Sequence, residues 1–135
     1  MAAELSLAVA VIRNLEGHML VVRKAGTTTF MQPGGKIDDG ETPEVALCRE
    51  LYEELELHVT PGQLRHVAHA TAPAANERET LVSAEIFELE GRDWPEFRPN
   101  SELEELRWID RTTTLPLAAL TSQQIMPRVW SDGVA

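Results

Sequence analysis

Residues 34–57 read GGKIDDGETPEVALCRELYEELEL, and no other stretch restricts the fold of this 135-residue chain so tightly. Two adjacent glycines allow close approach of the backbone to a ligand or a neighbouring strand. Beyond them Thr42 offers an N-cap side chain, Pro43 occupies the first helical position and Glu44 follows in the first turn, so a helix is predicted from Thr42 to about Leu57. Six glutamates fall between Glu41 and Glu56, four of them within the eight residues RELYEELE. Like charges three and four residues apart on a helix cost about 0.2–0.5 kcal/mol per pair, and acids in the later turns also oppose the helix dipole. A face required only for solubility would intersperse lysines, yet Arg49 is the only base on this helix.

On a helical wheel Val45, Cys48, Leu51, Tyr52 and Leu55 share one arc, the stripe expected to pack on a sheet, and Cys48 is expected in the core. Glu50, Glu53 and Glu54 converge on the opposite arc at positions i, i+3 and i+4. Ala46, one turn earlier on that arc, leaves room for something to approach. A solvated polar face is the simple alternative. A hard divalent cation, Mg²⁺ or Mn²⁺, accounts better for the crowding, because it takes carboxylate oxygens, keeps several waters and is commonly shared with substrate phosphates.

The remainder of the chain reads as strands with one more helix. LSLAVAVIR and HMLVVRK flank the turn residues NLEGH and read as a hairpin, and TFMQ as a short strand. QLRHVAHA, TLVSAEIFELE and LRWID are further strands, and LPLAALTSQQIMPRVW has helical spacing that Pro127 should end or bend. Strands flanked by two helices imply an α/β/α sandwich. Length and a composition of 43% apolar and 25% charged residues fit one globular domain over 1–135. The net charge of −10 argues against binding nucleic acid or an anionic membrane, since both require a basic patch. Glu4 precedes the first apolar run where a signal peptide would carry positive charge, and the single cysteine forms no intramolecular disulfide, so a cytoplasmic location is expected.

Gly35, five residues, Glu41, seven residues, Arg49-Glu50-Leu51, one residue, Glu53-Glu54 and the closing Leu57 together resemble the signature of the Nudix hydrolases. The departure is Glu56, where the family pattern has a glycine that ends the helix in a left-handed conformation. The flanking order of strands and helices is similar to the family's α/β/α sandwich with a mixed β-sheet. The resemblance implies metal-dependent hydrolysis of the pyrophosphate bond in a nucleoside diphosphate linked to another moiety, such as a nucleoside triphosphate or ADP-ribose. It implies Glu50, Glu53 and Glu54 as metal ligands, with Glu50 or a neighbour helping to deprotonate water. Arg49 would orient Glu50, the Gly35 carbonyl would be a further ligand, and Glu41 would tie the loop to the helix.

Outside the motif, Glu102 in NSELEELRW stands where such enzymes often supply a further acid, with Glu104 and Glu105 as competitors. Arg23, Lys36 and Arg78 are the candidate phosphate contacts. Phe30 and the loop tip APAANE are candidates for stacking on a base. Pro73, sixteen residues beyond Leu57, is similar in spacing to a feature of ADP-ribose-cleaving members, and with Asn76 it is expected to shape the pocket for the group beyond the pyrophosphate. His66 and His69 are expected on opposite faces of a strand, and Trp108 in the core. The partner is then a small nucleotide, and a homodimer is left open. Two readings compete with the Mg²⁺-dependent pyrophosphohydrolase: a non-catalytic nucleotide-sensing module of the same fold, and a protein-interaction domain whose acids merely solubilise it.

Overall fold

The first strand organises the molecule. In the computed structural model, which describes residues 3–130, β1 (Ala3–Val11) is hydrogen-bonded on both edges and buried on both faces of its second half. It lies antiparallel to β3 (Gly34–Lys36) on one side and parallel to β5 (Thr80–Leu89) on the other. β4 (Leu64–Pro73) completes this mixed sheet in the order β3-β1-β5-β4. A second sheet pairs β2 (Met19–Lys24) with β6 (Leu103–Ile109), antiparallel. The alternation of side chains along β1 divides the core in two. Val9 and Val11 join Val82, Ala84 and Ile86 beneath the C-terminal helical segment, whereas Ala8, Ala10 and Ile12 meet the helix α1 (Pro43–Leu55) on the other face. Helices therefore cover both faces, as an α/β/α sandwich requires.

The β1–β2 hairpin forms only beside its turn, where Arg13 bridges Met19. Asn14 Oδ1 accepts from the backbone N–H groups of Glu16 and His18, and Leu20 N–H still donates to the Ile12 carbonyl at 2.9 Å. Because β3 and β5 already occupy both edges of β1, β2 then leaves to pair with β6. The TFMQ strand is reduced to isolated bridges at Phe30 and Met31, and the paired segment moves onward to Gly34–Lys36. Near the C-terminus Pro127 has no N–H for the Gln123 carbonyl. The turns ahead of it, Leu120–Ile125, widen to i→i+5 spacing, with Met126 N–H donating to the Thr121 carbonyl, and a four-residue α2 (Met126–Val129) follows.

Two further expectations are corrected. His66 and His69 share a face, because the register shifts between His66 and Ala68 and the extra residue returns the second imidazole to the side of the first. Both rings hydrogen-bond Glu85, at 2.7 and 2.8 Å. The buried face of α1 is turned by roughly a quarter of the wheel from the apolar arc. Ala46, Leu47, Leu51, Glu54 and Leu55 are buried; Val45 and Tyr52 are about half exposed and Cys48 only partly covered. The gap left by Ala46 is filled by the sheet itself, which packs against it. Trp108 is half-buried at the margin of that core, its ring stacked on Phe97.

Candidate active site

α1 begins as the sequence dictates: Val45 N–H donates to the Thr42 side chain at 3.2 Å and Pro43 opens the first turn. Its rotation brings the row Ala46, Glu50, Glu54 down onto the glycine loop. Gly34 has φ +135°, and a Cβ there would lie 2.3 Å from the Ala8 carbonyl oxygen. A Cβ on Gly35 would lie 2.5–2.7 Å from the three atoms of the Glu50 carboxylate. Glycine at 34 lets β3 close on β1, and glycine at 35 permits the Glu50 carboxylate to rest directly against the strand backbone.

Arg49 holds the acids in place. Its Nε and Nη2 donate to the two Glu41 carboxylate oxygens at 2.8 and 2.9 Å, Nη1 donates to Glu50 Oε2 at 3.1 Å, and Nη2 reaches the Lys36 carbonyl. Glu53 and Asp38 complete the ring at 3.5 and 3.3 Å. The guanidinium bond, together with the Asp38 N–H, depresses the Glu41 carboxyl to about 2. Glu41 thus ties loop to helix. Arg49 is in turn held above its ordinary range, first by Glu41.

Glu50 and Glu54 behave oppositely. Burial raises both, against the pull of Arg49 on Glu50 and of the Gly34 N–H on Glu54. Glu54 is 5% exposed, accepts one hydrogen bond, from Gly34 N–H at 3.0 Å, and is pushed up to about 8 by burial with Glu50 and Glu102 nearby. An ionised carboxylate buried with so little compensation is unfavourable unless a cation arrives. Oxygen donors on Glu50, Glu54 and the neighbouring backbone suit a hard divalent ion. Among the described residues no three acidic, cysteine or histidine side chains close around one point by themselves. Water and substrate oxygens would complete the shell, as Mg²⁺ ordinarily requires.

A cleft of about 440 Å³ opens beside these acids. Of the residues singled out from sequence, Gly35, Lys36, Glu50, Glu54, Pro73, Asn76 and Glu102 line it. Arg49 and Glu53 stand behind the wall, and Glu53 is half exposed. Arg23 is committed elsewhere: its Nη1 donates to the Thr27 carbonyl and Glu104 and its Nε to Glu105, so Glu104 and Glu105 are also spent. Phe30 is 4% exposed and belongs to the core, which removes it as a stacking surface, and Arg78 lies outside the cleft lining.

Lys24, Gln32 and Thr121 are among the lining residues that escaped the sequence reading. Lys24 stands 3.6 Å from Glu102 and within electrostatic reach of Glu50 and Glu54. Strand alternation separates it from Arg23, but which of the two faces the acids depends on the pairing of β2 with β6. Gln32 and Thr121, both buried, line the inner part of the cleft. The signal for Gln32 was a lone polar residue between Met31 and Pro33; Thr121 carried none.

A model of the NUDIX domain matches residues 5–129. The chain belongs to the Nudix family. It is 43% identical over 95 residues to the 8-oxo-dGTP diphosphatase of Escherichia coli, covering 67% of this chain and 72% of that one. It is 51% identical over 47 residues to the RNA pyrophosphohydrolase of Tolumonas auensis; that match covers 35% of this chain and only 27% of the relative's length. The crystal structure of a MutT protein from Methanosarcina mazei superposes with a TM-score of 0.75 at 22% identity, over 99% of this chain and 98% of that one.

In this Nudix domain Glu56 takes the left-handed conformation of the absent glycine, at φ 55° and ψ 34°. The helix ends at Leu55, and the N–H groups of Glu56 and Leu57 return to the Tyr52 and Leu51 carbonyls at 2.8 and 3.4 Å. Asn100 fastens the β5–β6 loop to this end of the Nudix helix, donating from Nδ2 to the Glu53 carbonyl and from its N–H to the Glu54 carbonyl. That attachment brings Glu102 to the cleft two residues later. Among the described residues no helix is long and apolar enough to cross a membrane.

Proposed function

We propose that this chain is a divalent-metal-dependent pyrophosphohydrolase acting on a nucleoside diphosphate linked to another group, and that nucleoside triphosphates are the favoured substrates. One observation carries the reading: Glu50, oriented by Arg49, and the buried, under-compensated Glu54 line a single cleft with Gly35. A domain whose acids merely confer solubility would gain nothing from burying Glu54. Glu50, Glu54, Glu102 and the Gly35 carbonyl would hold the ion, with Glu53 reaching it from the exposed side of the helix. When bound, the ion supplies Lewis-acid polarisation of the pyrophosphate and lowers the pKa of a coordinated water. Arg49 binds Glu50 through Oε2 and leaves Oε1 toward the ion; Glu50 or a neighbouring acid would take the proton of the water as its oxygen bonds to phosphorus and the bridging P–O electron pair leaves with the departing group. Lys24 and Lys36 would meet the phosphate charge. The chain spans about a quarter of the RNA pyrophosphohydrolases it resembles, whereas the likeness to the 8-oxo-dGTP diphosphatase covers most of both chains and favours the triphosphate class. The position of Pro73 on the cleft supports ADP-ribose as the second reading.

The test is a panel of nucleoside triphosphates, nucleotide sugars and dinucleoside polyphosphates incubated with Mg²⁺ or with EDTA and scored by product analysis. Turnover of at least one triphosphate, abolished by EDTA, is expected. Saturable Mn²⁺ quenching of tryptophan fluorescence without turnover of any compound would instead favour the sensing module, and no response to Mn²⁺ would leave only the interaction domain.

A further inference from the structure

The inner wall of the cleft carries two buried polar atoms that have no hydrogen-bond partner among the described residues, Gln32 Oε1 and Thr121 Oγ1. Gln32 is 4% exposed and its Nε2 donates to the Ala10 carbonyl at 2.9 Å. That carbonyl can only accept, so the amide cannot be flipped and Oε1 stands as a fixed acceptor in need of a donor. Thr121 is 0% exposed. A helical hydroxyl normally settles on the carbonyl four residues back, as Ser122 Oγ does on Ala118 at 3.4 Å. Thr121 does not. Valine has nearly the same shape and no orphan, and would be the choice if stability alone decided position 121. Two such atoms in one cavity, from distant parts of the chain, indicate a ligand that completes them.

The chemistry limits what that ligand presents. A fixed carbonyl acceptor repels phosphate oxygens, so this end of the cleft does not hold the pyrophosphate. The surfaces around it are small or branched apolar side chains, Val9, Val82, Ala118 and Leu120, suited to the faces of a flat ring.

We propose that Gln32 and Thr121 are the specificity-determining pair of this site, selecting a nucleobase whose edge presents an N–H donor to Gln32 Oε1. The proposal rests on the pyrophosphohydrolase reading and assigns it a base-reading wall. The probes are AMP, GMP, CMP and UMP, with purine ribonucleoside monophosphate, whose base carries no N–H. Their binding to wild type, Thr121→Val and Gln32→Met is measured by calorimetry with Mg²⁺ present. Wild type should bind its best natural nucleotide about tenfold or more tighter than the donorless purine, the range of one buried hydrogen bond. Each substitution should erase about tenfold of that preference and leave the donorless purine unaffected. Thr121→Val should also raise the ligand-free Tm by a few degrees, which guards against a folding artefact, whereas Gln32→Met strands the Ala10 carbonyl and should lower it. A preference unchanged in both variants overturns the proposal, as does one that follows the ribose 2′-hydroxyl in the matching deoxynucleotides. If triphosphates are hydrolysed while both variants keep the wild-type ranking, this inference alone fails. If no probe binds and no triphosphate is hydrolysed, the underlying reading fails with it.

Discussion

Replacing Glu56 by glycine should stabilise this protein, and the amount follows from one backbone angle. Glu56 sits at φ 55°, where a residue with a Cβ is disfavoured by roughly 1–2 kcal/mol. Glycine removes that strain but makes the unfolded chain more flexible, which returns roughly 0.5–1 kcal/mol. The net gain is about 1 kcal/mol, or roughly 3–6 °C in Tm for a domain of this size. Removing an acid from the C-terminal end of α1 adds a further few tenths through the helix dipole. Glu56→Ala separates the two effects, because it deletes the charge and keeps the Cβ. Thermal and urea denaturation of wild type, Glu56→Ala and Glu56→Gly should place glycine about 1 kcal/mol above alanine. Glycine no more stable than alanine would refute the strain argument, and a falling Tm would mean that the helix continues through position 56.

The remaining predictions concern the acids. Glu53→Gln and Glu54→Gln should each lower kcat by on the order of 10² or more at saturating Mg²⁺ with the far-UV circular dichroism unchanged, because each change weakens the ion rather than the core; near wild-type turnover in either would remove that residue from the assignment. Gly35→Ala should lower kcat by a similar factor with little change in Tm, since the new methyl displaces the flexible end of Glu50 and not the backbone. In EDTA the Glu54 carboxyl titrates at about 8 in the folded protein against 4.5 when unfolded, so between those values the folded state binds the extra proton and stability falls as pH rises. That contribution, at most roughly 5 kcal/mol, is lost above about pH 8. Glu54→Gln should flatten the slope measured by urea denaturation across that range.

Much of the site was legible because it is local. Thr42, Pro43 and the spacing from Gly35 to Leu57 are consecutive in sequence and meet within one loop and one helix. The orientation of that helix was not legible, since the apolar arc places Val45, Cys48 and Tyr52 inward. The actual rotation is governed by the close fit at Ala46 and Gly35 and by the Gly34 hydrogen bond to Glu54, where a site feature overrides amphipathicity. Residues drawn from other elements were harder still. Glu102 and Pro73 fall on the cleft, while Arg23 and Phe30 turn away from it, because the face a strand residue presents depends on which partner the strand finds. The shortening of the β1–β2 hairpin has the same origin: local turn chemistry was correct at Asn14, and competition for the edges of β1 decided what followed.

The division into two sheets gives the cleft walls unequal lifetimes. Glu50 and Glu54 rest on the four-stranded sheet through β1 and β3, whereas Lys24 and Glu102 ride on the two-stranded ribbon of β2 and the entry to β6. A ribbon of two strands opens at lower free energy than a strand hydrogen-bonded on both sides. Amide protons of β6 should therefore exchange faster than those in the second half of β1.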